Sequence, residues 1–356
     1  MKTLAIDCRM ARMSGIGVYL RNVAPRCMAA MPDVRFRLLG FDGSFQPPED
    51  CRWESVPFAA PIYSLTEQMH ILPLLKGCDA LWTPHYPIPI LASPPLVATV
   101  HDTAHLALRD LFSGMRRAYA ALMFQAVRFK AAEILCVSEF TRQEFLRRVG
   151  KPKGRMTTAH NGVDAVWLRP VPEQRKQPPY FLAVGNIKPH KNAHLLCRAF
   201  AAIAGACAAD LIFVGENRFR TNEISIESLM AMCPGRITFT GNIPQEELIA
   251  RMAGATALVF PSCYEGFGLP PLEALALGVP VIASDIPATR EVCGEHAAYF
   301  PRNDAGRLGE LMLSALESTP EERRAAGERG RDWARNFSWE KSAAITAEVL
   351  RRVLKK

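Results

Sequence analysis

Two glutamates, Glu265 and Glu273, stand eight residues apart in PSCYEGFGLPPLEALALGVPVIAS, residues 261–284. Glycines and prolines separate them, although the surrounding sequence is apolar enough to be buried. A carboxylate accepts hydrogen bonds from hydroxyl groups, and the GFG loop offers several backbone N–H groups on one concave side. These residue types at this spacing predict a site that holds a sugar, a diphosphate and a ribose in sequence.

The predicted elements around this stretch place the two carboxyl groups differently. A strand is expected to end at Ser262, with Glu265 in the next loop and Pro270 and Pro271 at the start of a helix. Glu273 then falls in the first helical turn, where the helix dipole would stabilise a carboxylate without any ligand. Since no such structural reason is evident for Glu265, it is the stronger candidate for ligand binding.

A second loop, VGNIKPHKNAHLL, gathers positive charge in front of a predicted helix. Gly185 ends the strand, Lys188 and Lys191 crowd the helix start, and Asn192 is the expected N-cap. Lysines at the positive end of a helix are unfavourable unless an anion compensates them. The loop therefore favours a bound phosphate, with a merely solvated basic loop as the alternative.

Two loops in the first half of the chain also follow predicted strands. Gly15 and Gly17 open a helix, which would let the backbone approach a phosphate. The third glycine of the dinucleotide fingerprint is missing, so a plain tight turn remains the alternative. His101 and Asp102 end an apolar strand, either as a ligand-facing pair or as a local cap.

Composition and charge restrict the class of protein. The chain has 356 residues, 49% hydrophobic and 22% charged, as expected for a soluble globular protein of two domains. Neither its ten cysteines nor the histidines at positions 85, 101 and 105 show metal-ligand spacing, so we expect inert thiols and no metal. Without a signal peptide or an apolar stretch of about 18 residues, the protein is expected in the cytoplasm. Of the formal charge of +8, +6 falls in residues 1–165 (20 basic and 14 acidic), which suggests an anionic partner there.

Short apolar runs alternate with longer helical patterns, which is typical of parallel sheets with right-handed crossovers. A proline-rich linker is expected around residues 165–180, after which the alternation restarts at YFLAVGNI. The prediction is an α/β protein with two doubly wound, Rossmann-like parallel-sheet domains that face a cleft. In such sheets, ligands bind at the carboxyl ends of the strands.

The segments VGNIKPHKN, FTGNIPQEEL and PSCYEGFGLPPLEALALGVPVIASDIPATREV together strongly resemble the retaining glycosyltransferases of family 4, which have the GT-B fold. The E-x7-E element of that family matches at Glu265 and Glu273. The segments IDCRMARMSGIGVYLRNV, VHDTAHL, LCVSEFTRQEF, HNGVD and RDWARNFSWEKSA extend the resemblance over nearly the whole chain. It implies an acceptor-binding domain at residues 1–168, a nucleotide-sugar-binding domain at 169–335, and a C-terminal helix at 336–356 that packs back on the first domain.

The resemblance also implies roles for individual positions. Glu265 would hold hydroxyls of the donor sugar, Glu273 would bind the ribose, and Lys191 would neutralise the diphosphate. The implied catalytic residues are His101, Asp102, Lys191 and Glu265. The implied donor-binding residues are Gly15, Gly17, Gly185, Asn186, Lys188, Gly215, Asn242, Ile243, Glu265, Gly266, Phe267, Gly268, Leu269 and Glu273.

One position departs from the family pattern. Many relatives have arginine where this chain has Asn186, so the usual pair of basic residues is incomplete and Lys188 is the candidate for the second charge. The chain contains no D-x-D motif, which agrees with a metal-independent reaction, and no cofactor is expected. The resemblance favours front-face attack, in which Glu265 binds the donor and is not a nucleophile.

Among relatives, the motifs are most similar to those of bacterial mannosyltransferases that use GDP-mannose. Rhamnosyl- or glucosyltransferases that use dTDP-, GDP- or UDP-sugars are the alternative. The expected acceptor is a lipid-linked or cell-surface saccharide, as in polysaccharide and lipopolysaccharide biosynthesis. A nucleotide-sugar epimerase and a non-catalytic nucleotide-binding scaffold are the competing classes, and no nucleic-acid partner is expected.

A basic segment in the first half suggests peripheral contact with the anionic inner face of the cytoplasmic membrane. Its basic residues are interleaved with apolar ones, although a core-facing amphipathic helix explains the apolar positions equally well. The basic residues are Arg109, Arg116, Arg117, Arg128 and Lys130.

Overall fold

The computed structural model describes residues 1–169, 178–216 and 225–355, and it divides the chain into two compact units. The first unit contains residues 1–162 and 337–356, and the second contains residues 163–336. Each unit is built on its own parallel sheet, so the predicted α/β class with two doubly wound domains is confirmed. Most of the predicted linker, residues 170–177, lies outside the described residues.

The first unit has a seven-stranded sheet in the order β3-β2-β1-β4-β5-β6-β7 over its described residues. The strands are β1 (Thr3–Asp7), β2 (Arg35–Leu39), β3 (Arg52–Val56), β4 (Ala80–Thr83), β5 (Leu96–Val100), β6 (Ala131–Cys136) and β7 (Arg155–Thr158). The helices are α1 (Ser14–Ala29), α2 (Leu65–Leu74), α3 (Ala104–Ala107), α4 (Gly114–Lys130), α5 (Glu139–Arg148) and, after the second unit, α13 (Trp339–Leu354).

The second unit has a six-stranded sheet in the order β10-β9-β8-β11-β12-β13 over its described residues. The strands are β8 (Tyr180–Val184), β9 (Asp210–Val214), β10 (Ile237–Phe239), β11 (Ala257–Phe260), β12 (Val281–Ser284) and β13 (Ala297–Phe300). The helices are α6 (Ala193–Ile203), α7 (Ile226–Met230), α8 (Gln245–Ala253), α9 (Leu269–Leu277), α10 (Pro287–Cys293), α11 (Ala305–Glu317) and α12 (Pro320–Ala334).

The central strands of both sheets are buried on both faces. Strand β5, with the sequence LVATV, and strand β11, with the sequence ALVF, are buried at every residue. Helices cover such strands on both sides, because each connection between parallel strands crosses the sheet. All strand pairs are parallel, so the loops that follow the strands collect at one edge of each sheet, where ligands bind in this architecture.

The C-terminal helix α13 packs along α1, so the end of the chain is part of the first unit. The Cys27 thiol on α1 lies 3.4 Å from the carbonyl oxygen of Ala343 on α13. Gly162 approaches the backbone of Trp339 so closely that any side chain there would collide with it. Over the described ranges, no helix is both long and apolar enough to cross a membrane.

Candidate active site

The central feature of the second unit is an ion pair between the two loops that the sequence singled out. Lys191 Nζ lies 2.6 Å from Glu265 Oε1, and both side chains are largely buried. The ammonium group also lies 5.2 Å from the centre of the Phe260 ring. A backbone hydrogen bond of 2.7 Å from Cys263 N–H to the carbonyl of His190 joins the same two loops. The pair is therefore held in place by both main chain and side chains.

The ion pair determines the ionisation of Glu265. Burial alone would raise its pKa, but the positive charges of Lys191 and His190 outweigh burial and lower the pKa below its usual range. In this ligand-free structure Glu265 supplies the anion that compensates Lys191, and the role of the lysine towards a phosphate stays a prediction. The structure thus gives Glu265 the local partner that sequence reasoning did not find.

Helix α9 begins at Leu269, and Gly268 makes this start possible. Gly268 is the N-cap with φ +114°, a conformation that residues with a side chain rarely adopt. Because the helix begins before Pro270, Glu273 lies in the second turn, and the expectation that it sits in the first turn is wrong. Gly266 and Phe267 precede the helix and are buried, whereas Leu269 is partly exposed.

Glu273 has the opposite electrostatic environment to Glu265. Burial, with the negative charge of Asp164 as a second cause, raises the pKa of Glu273 to about 8. Asp164 directly precedes a short 3-10 helix at Ala165–Leu168 that packs against α9. Glu273 is therefore mostly protonated at neutral pH. Sequence reasoning gave no signal for Asp164 as its neighbour, because more than a hundred residues separate the two.

The loops after β8 and β9 approach each other closely. Gly215, with φ +144°, lies so near the carbonyl of Gly185 that any side chain at position 215 would overlap it. The side-chain oxygen of Asn186 accepts the N–H of Glu216 at 3.2 Å, and Asn242 Nδ2 donates to the Glu216 carboxylate at 2.6 Å. Two predicted donor-binding residues, Asn186 and Asn242, therefore hydrogen-bond to Glu216, which sequence reasoning missed.

Three other predicted residues of this loop region, Asn192, Lys188 and Ile243, have different surroundings. Asn192 lies at the N-cap position of α6, but its backbone is left-handed with φ +54° and its side chain makes no capping bond. It donates instead to the carbonyl of Arg302 at 3.1 Å, so the prediction of a capping side chain is wrong. Lys188 is exposed, and Ile243 is half-buried after the Gly215–Gly241 bridge.

In the first unit, the two glycines of the first loop have different surroundings. Gly17 is buried, and a Cβ atom there would lie 2.5 Å from the carbonyl oxygen of Ala11. Gly15 is exposed, with no atom within 4 Å of the position a Cβ would take. Gly17 therefore lets the first turn of α1 lie against the Ala11 backbone, while Gly15 leaves open space at the helix start.

His101 and Asp102 follow β5 at the same edge of the first sheet. His101 Nε2 lies 2.9 Å from the carbonyl oxygen of Pro84 and must carry the proton, since a carbonyl only accepts. Burial lowers the pKa of His101 to about 4, so the ring is neutral and its acceptor lone pair is on Nδ1. Asp102 Oδ1 accepts the N–H of Ala104, the first residue of α3, at 2.8 Å, whereas Thr103 occupies the N-cap position.

Comparison with known proteins assigns the chain to a family. The sequence model described as Glycosyltransferase Family 4 matches residues 13–167, and the one described as Glycosyl transferases group 1 matches residues 168–333. The chain belongs to the family 4 glycosyltransferases. It is an enzyme that transfers a sugar, as the motifs predicted.

Individual relatives are similar over most of the chain. The O-antigen chain mannosyltransferase B of Escherichia coli is 28% identical over 261 residues, which is 70% of this chain and 68% of that protein. The O-antigen chain mannosyltransferase RfbU of Salmonella typhimurium is 26% identical over 267 residues, covering 74% and 72% respectively. The structure of a sucrose-phosphate synthase from Thermosynechococcus elongatus covers both chains completely, with a TM-score of 0.79 at 21% identity, and confirms the GT-B fold.

The raised pKa of Glu273 predicts a pH-dependent cost in stability. Below about pH 4.5, Glu273 is protonated in both the folded and the unfolded chain. Between about pH 4.5 and 8 its carboxyl group ionises in the unfolded chain but not in the folded one, so the free energy of unfolding falls as the pH rises. Glu273→Gln should therefore gain stability relative to the wild type as the pH rises from 5 to 8.5. Because the side chain is partly exposed, we expect on the order of 1–3 kcal/mol. Thermal unfolding of both proteins across this range measures the difference.

The exposed Glu317, at the end of α11, provides the matched control for this measurement. Glu317→Gln should shift the melting temperature by the same small amount at every pH. A Glu273→Gln difference that is constant or shrinks with rising pH would contradict the raised pKa.

Proposed function

We propose that this glycosyltransferase transfers mannose from GDP-mannose to a lipid-linked or cell-surface saccharide, with retention of configuration and without a metal ion. The names of the two O-antigen mannosyltransferases support the sugar and the setting in polysaccharide or lipopolysaccharide biosynthesis. A rhamnosyl- or glucosyltransferase that uses a dTDP-, GDP- or UDP-sugar is the alternative.

The ion pair between Lys191 and Glu265 is the observation that carries the proposal. Cleavage of a sugar–diphosphate bond leaves negative charge on the departing phosphate, which a fixed cation stabilises. Lys191 supplies that cation when the phosphate takes the place of Glu265 beside it. Glu265 is then released to accept hydrogen bonds from the sugar hydroxyls, and the N-terminus of α9 directs its amide dipoles towards the diphosphate.

The proposed reaction is front-face attack by an acceptor hydroxyl on the anomeric carbon. The carbon–oxygen bond to the diphosphate breaks, the new glycosidic bond forms on the same face, and the acceptor proton passes to the leaving phosphate oxygen. His101 is neutral and presents a lone pair on Nδ1, so it can accept a hydrogen bond from a sugar hydroxyl. Glu273, mostly protonated, would hold the ribose.

A nucleotide screen tests the donor class. GDP and GDP-mannose should raise the melting temperature more than UDP, dTDP or ADP and their sugars, because only a ligand bound to the folded state stabilises it. At a ligand concentration about 100 times its Kd, the stabilisation is about 2.7 kcal/mol. Stabilisation by UDP or dTDP sugars alone would select the alternative donors, and no stabilisation by any of them would favour a non-catalytic scaffold.

The exchange of partners at Lys191 predicts two opposite effects of Glu265→Gln. The variant should bind the bare nucleoside diphosphate several-fold more tightly, because Lys191 no longer has a competing anion. Its turnover with the nucleotide sugar should fall by a factor on the order of 10², since the hold on the sugar is weakened. Lys191→Met should lower both the affinity and the turnover. Calorimetric titration with GDP and a steady-state transfer assay measure the two quantities.

Glu328→Gln, at an exposed position on α12, is the matched control and should leave both quantities unchanged. If Glu265→Gln binds GDP more weakly than the wild type, Lys191 does not exchange its partner. Near-normal turnover in folded Lys191→Met would exclude the phosphate role of the lysine.

The proposed membrane contact lies on α4, where an apolar stripe is exposed to solvent. Met115, Leu122 and Phe129 recur every seven residues and are 85%, 54% and 49% exposed. The helix contains four basic and no acidic residues, and Arg116 and Arg117 lie in its first turn. Arg128 and Lys130, by contrast, bind the backbone carbonyls of neighbouring loops. An exposed apolar stripe flanked by arginines fits the surface of an anionic membrane.

Vesicle sedimentation tests this contact. The protein should bind vesicles that contain phosphatidylglycerol, and binding should weaken at high salt. The double variant Arg116→Glu, Arg117→Glu should reduce the binding about tenfold or more, since each basic residue contributes about 1 kcal/mol near an anionic surface. The pair Arg324→Glu, Arg329→Glu on α12 has the same change in net charge and should bind as the wild type. Equal losses in both double variants would show a bulk charge effect and exclude the α4 surface.

A further inference from the structure

Tyr63 has a backbone conformation that a residue with a side chain rarely adopts. Its φ is +64°, and among the described residues Asn192 is the other non-glycine with positive φ. The next residue, Ser64, caps α2 by accepting the N–H of Glu67 at 3.2 Å and donates to the carbonyl of Pro61 at 2.6 Å. The backbone is therefore held in a strained conformation from both sides. Such strain is typical of positions where a side chain must point in a fixed direction.

The Tyr63 ring is partly exposed at the top of an aromatic cluster. It lies 5.9 Å from the ring of Tyr86, 6.3 Å from that of His105 and 6.3 Å from that of Tyr119. Nevertheless, 41% of Tyr63 remains accessible to solvent. Tyr63, Tyr86 and His105 follow β3, β4 and β5 respectively, so the cluster lies at the ligand-binding edge of the first sheet.

A buried network of charges fixes this cluster from below. The Tyr119 hydroxyl donates to Glu67 Oε1 at 2.8 Å, and Arg9 Nη2 lies 3.2 Å from Glu67 Oε2. The same arginine lies 2.6 Å from Asp7, and all three charged side chains are buried. Charges in such a setting persist when they are paired and well oriented. The network holds the side chain of Tyr119, against which Tyr63 packs edge to face.

Asp102 follows β5, so its carboxylate lies at the same edge of the first sheet as the aromatic cluster. The negative charge of Asp102 contributes, after burial, to raising the pKa of Tyr63 to about 12. An exposed aromatic face on a polar edge of the sheet matches a pyranose ring, which has an apolar C–H face and hydroxyl groups around its edge. The cluster of Tyr63, Tyr86, His105 and Tyr119 therefore has the chemistry of a saccharide subsite.

We propose that Tyr63 is the platform on which a pyranose ring of the acceptor saccharide stacks. This subsite rests on the proposed function, because it assigns the acceptor of the same transfer reaction. The left-handed backbone of Tyr63 sets the direction of the tyrosine ring before the saccharide binds. Such pre-organisation reduces the entropy that is lost on binding.

Ligand-observed saturation-transfer NMR on the full chain tests the subsite with methyl glycosides of mannose, glucose, galactose and N-acetylglucosamine. At least one glycoside should bind the wild type, and Tyr63→Phe should keep that binding. Tyr63→Ala should weaken it about tenfold, because the stacking surface is lost. Tyr63→Gly should weaken it equally while the melting temperature stays the same or rises, since glycine adopts a positive φ without strain.

Trp53→Ala, at another exposed aromatic residue of the same unit, is the control and should bind as the wild type. The melting-temperature shift produced by the nucleoside diphosphate should be equal in all these variants. If that shift is absent in the wild type, the proposed donor chemistry fails independently of Tyr63. Glycoside binding that is unchanged in Tyr63→Ala, or absent from the wild type for the whole panel, would overturn the subsite. If Tyr63→Ala lost vesicle binding and kept glycoside binding, Tyr63 would be a lipid contact, and the saccharide subsite would be overturned equally.

Discussion

The ion pair between Lys191 and Glu265 is the interaction on which the donor half of the site depends. Two charges removed from water lose hydration, and their attraction compensates for that loss only when the geometry is fixed. Here the bond between Cys263 and His190 fixes it, by joining the loops that follow β8 and β11. The pair therefore keeps the site charged and ordered without a ligand. In the proposed function, the diphosphate meets a lysine already in place and takes the position of Glu265 beside it.

The parallel sheet explains why these loops meet at all. Strands β8 and β11 are neighbours, so residues 74 positions apart in sequence leave the sheet side by side. The loops after β8 and β9 also approach closely, and this approach requires glycine, because a side chain at Gly215 would overlap the carbonyl of Gly185. In the first unit β4 and β5 are likewise neighbours, and the chain after β3 extends along the same edge to bring Tyr63 beside Tyr86 and His105. In both units, the chemistry thus lies in loops that the sheet positions.

The sequence predicted the architecture well because its signals are local. Alternating apolar runs and helical patterns indicate parallel sheets, and GFG followed by two prolines indicates a loop leading into a helix. The partner of Glu265 was not predictable in this way, since it depends on which strands are neighbours. Nor was the left-handed backbone of Asn192, because asparagine at a helix start ordinarily predicts a capping side chain. Helix α2 was missed although Ser64 and Glu67 stand at the spacing of a local helix-start signal. The positive φ of Tyr63 has no comparable signal, because tyrosine ordinarily predicts a negative φ.

The two glutamates that first drew attention are chemically different groups in the folded protein. Lysine and histidine keep Glu265 ionised, whereas burial and Asp164 keep Glu273 largely protonated at neutral pH. Environments that separate the pKa values of two carboxyl groups give them separate roles. An ionised Glu265 accepts hydrogen bonds, while a neutral Glu273 both donates and accepts, as ribose hydroxyls require. In the proposed donor site, a second ionised carboxylate would repel the diphosphate. The protonation of Glu273 lets α9 carry a carboxyl group without that repulsion.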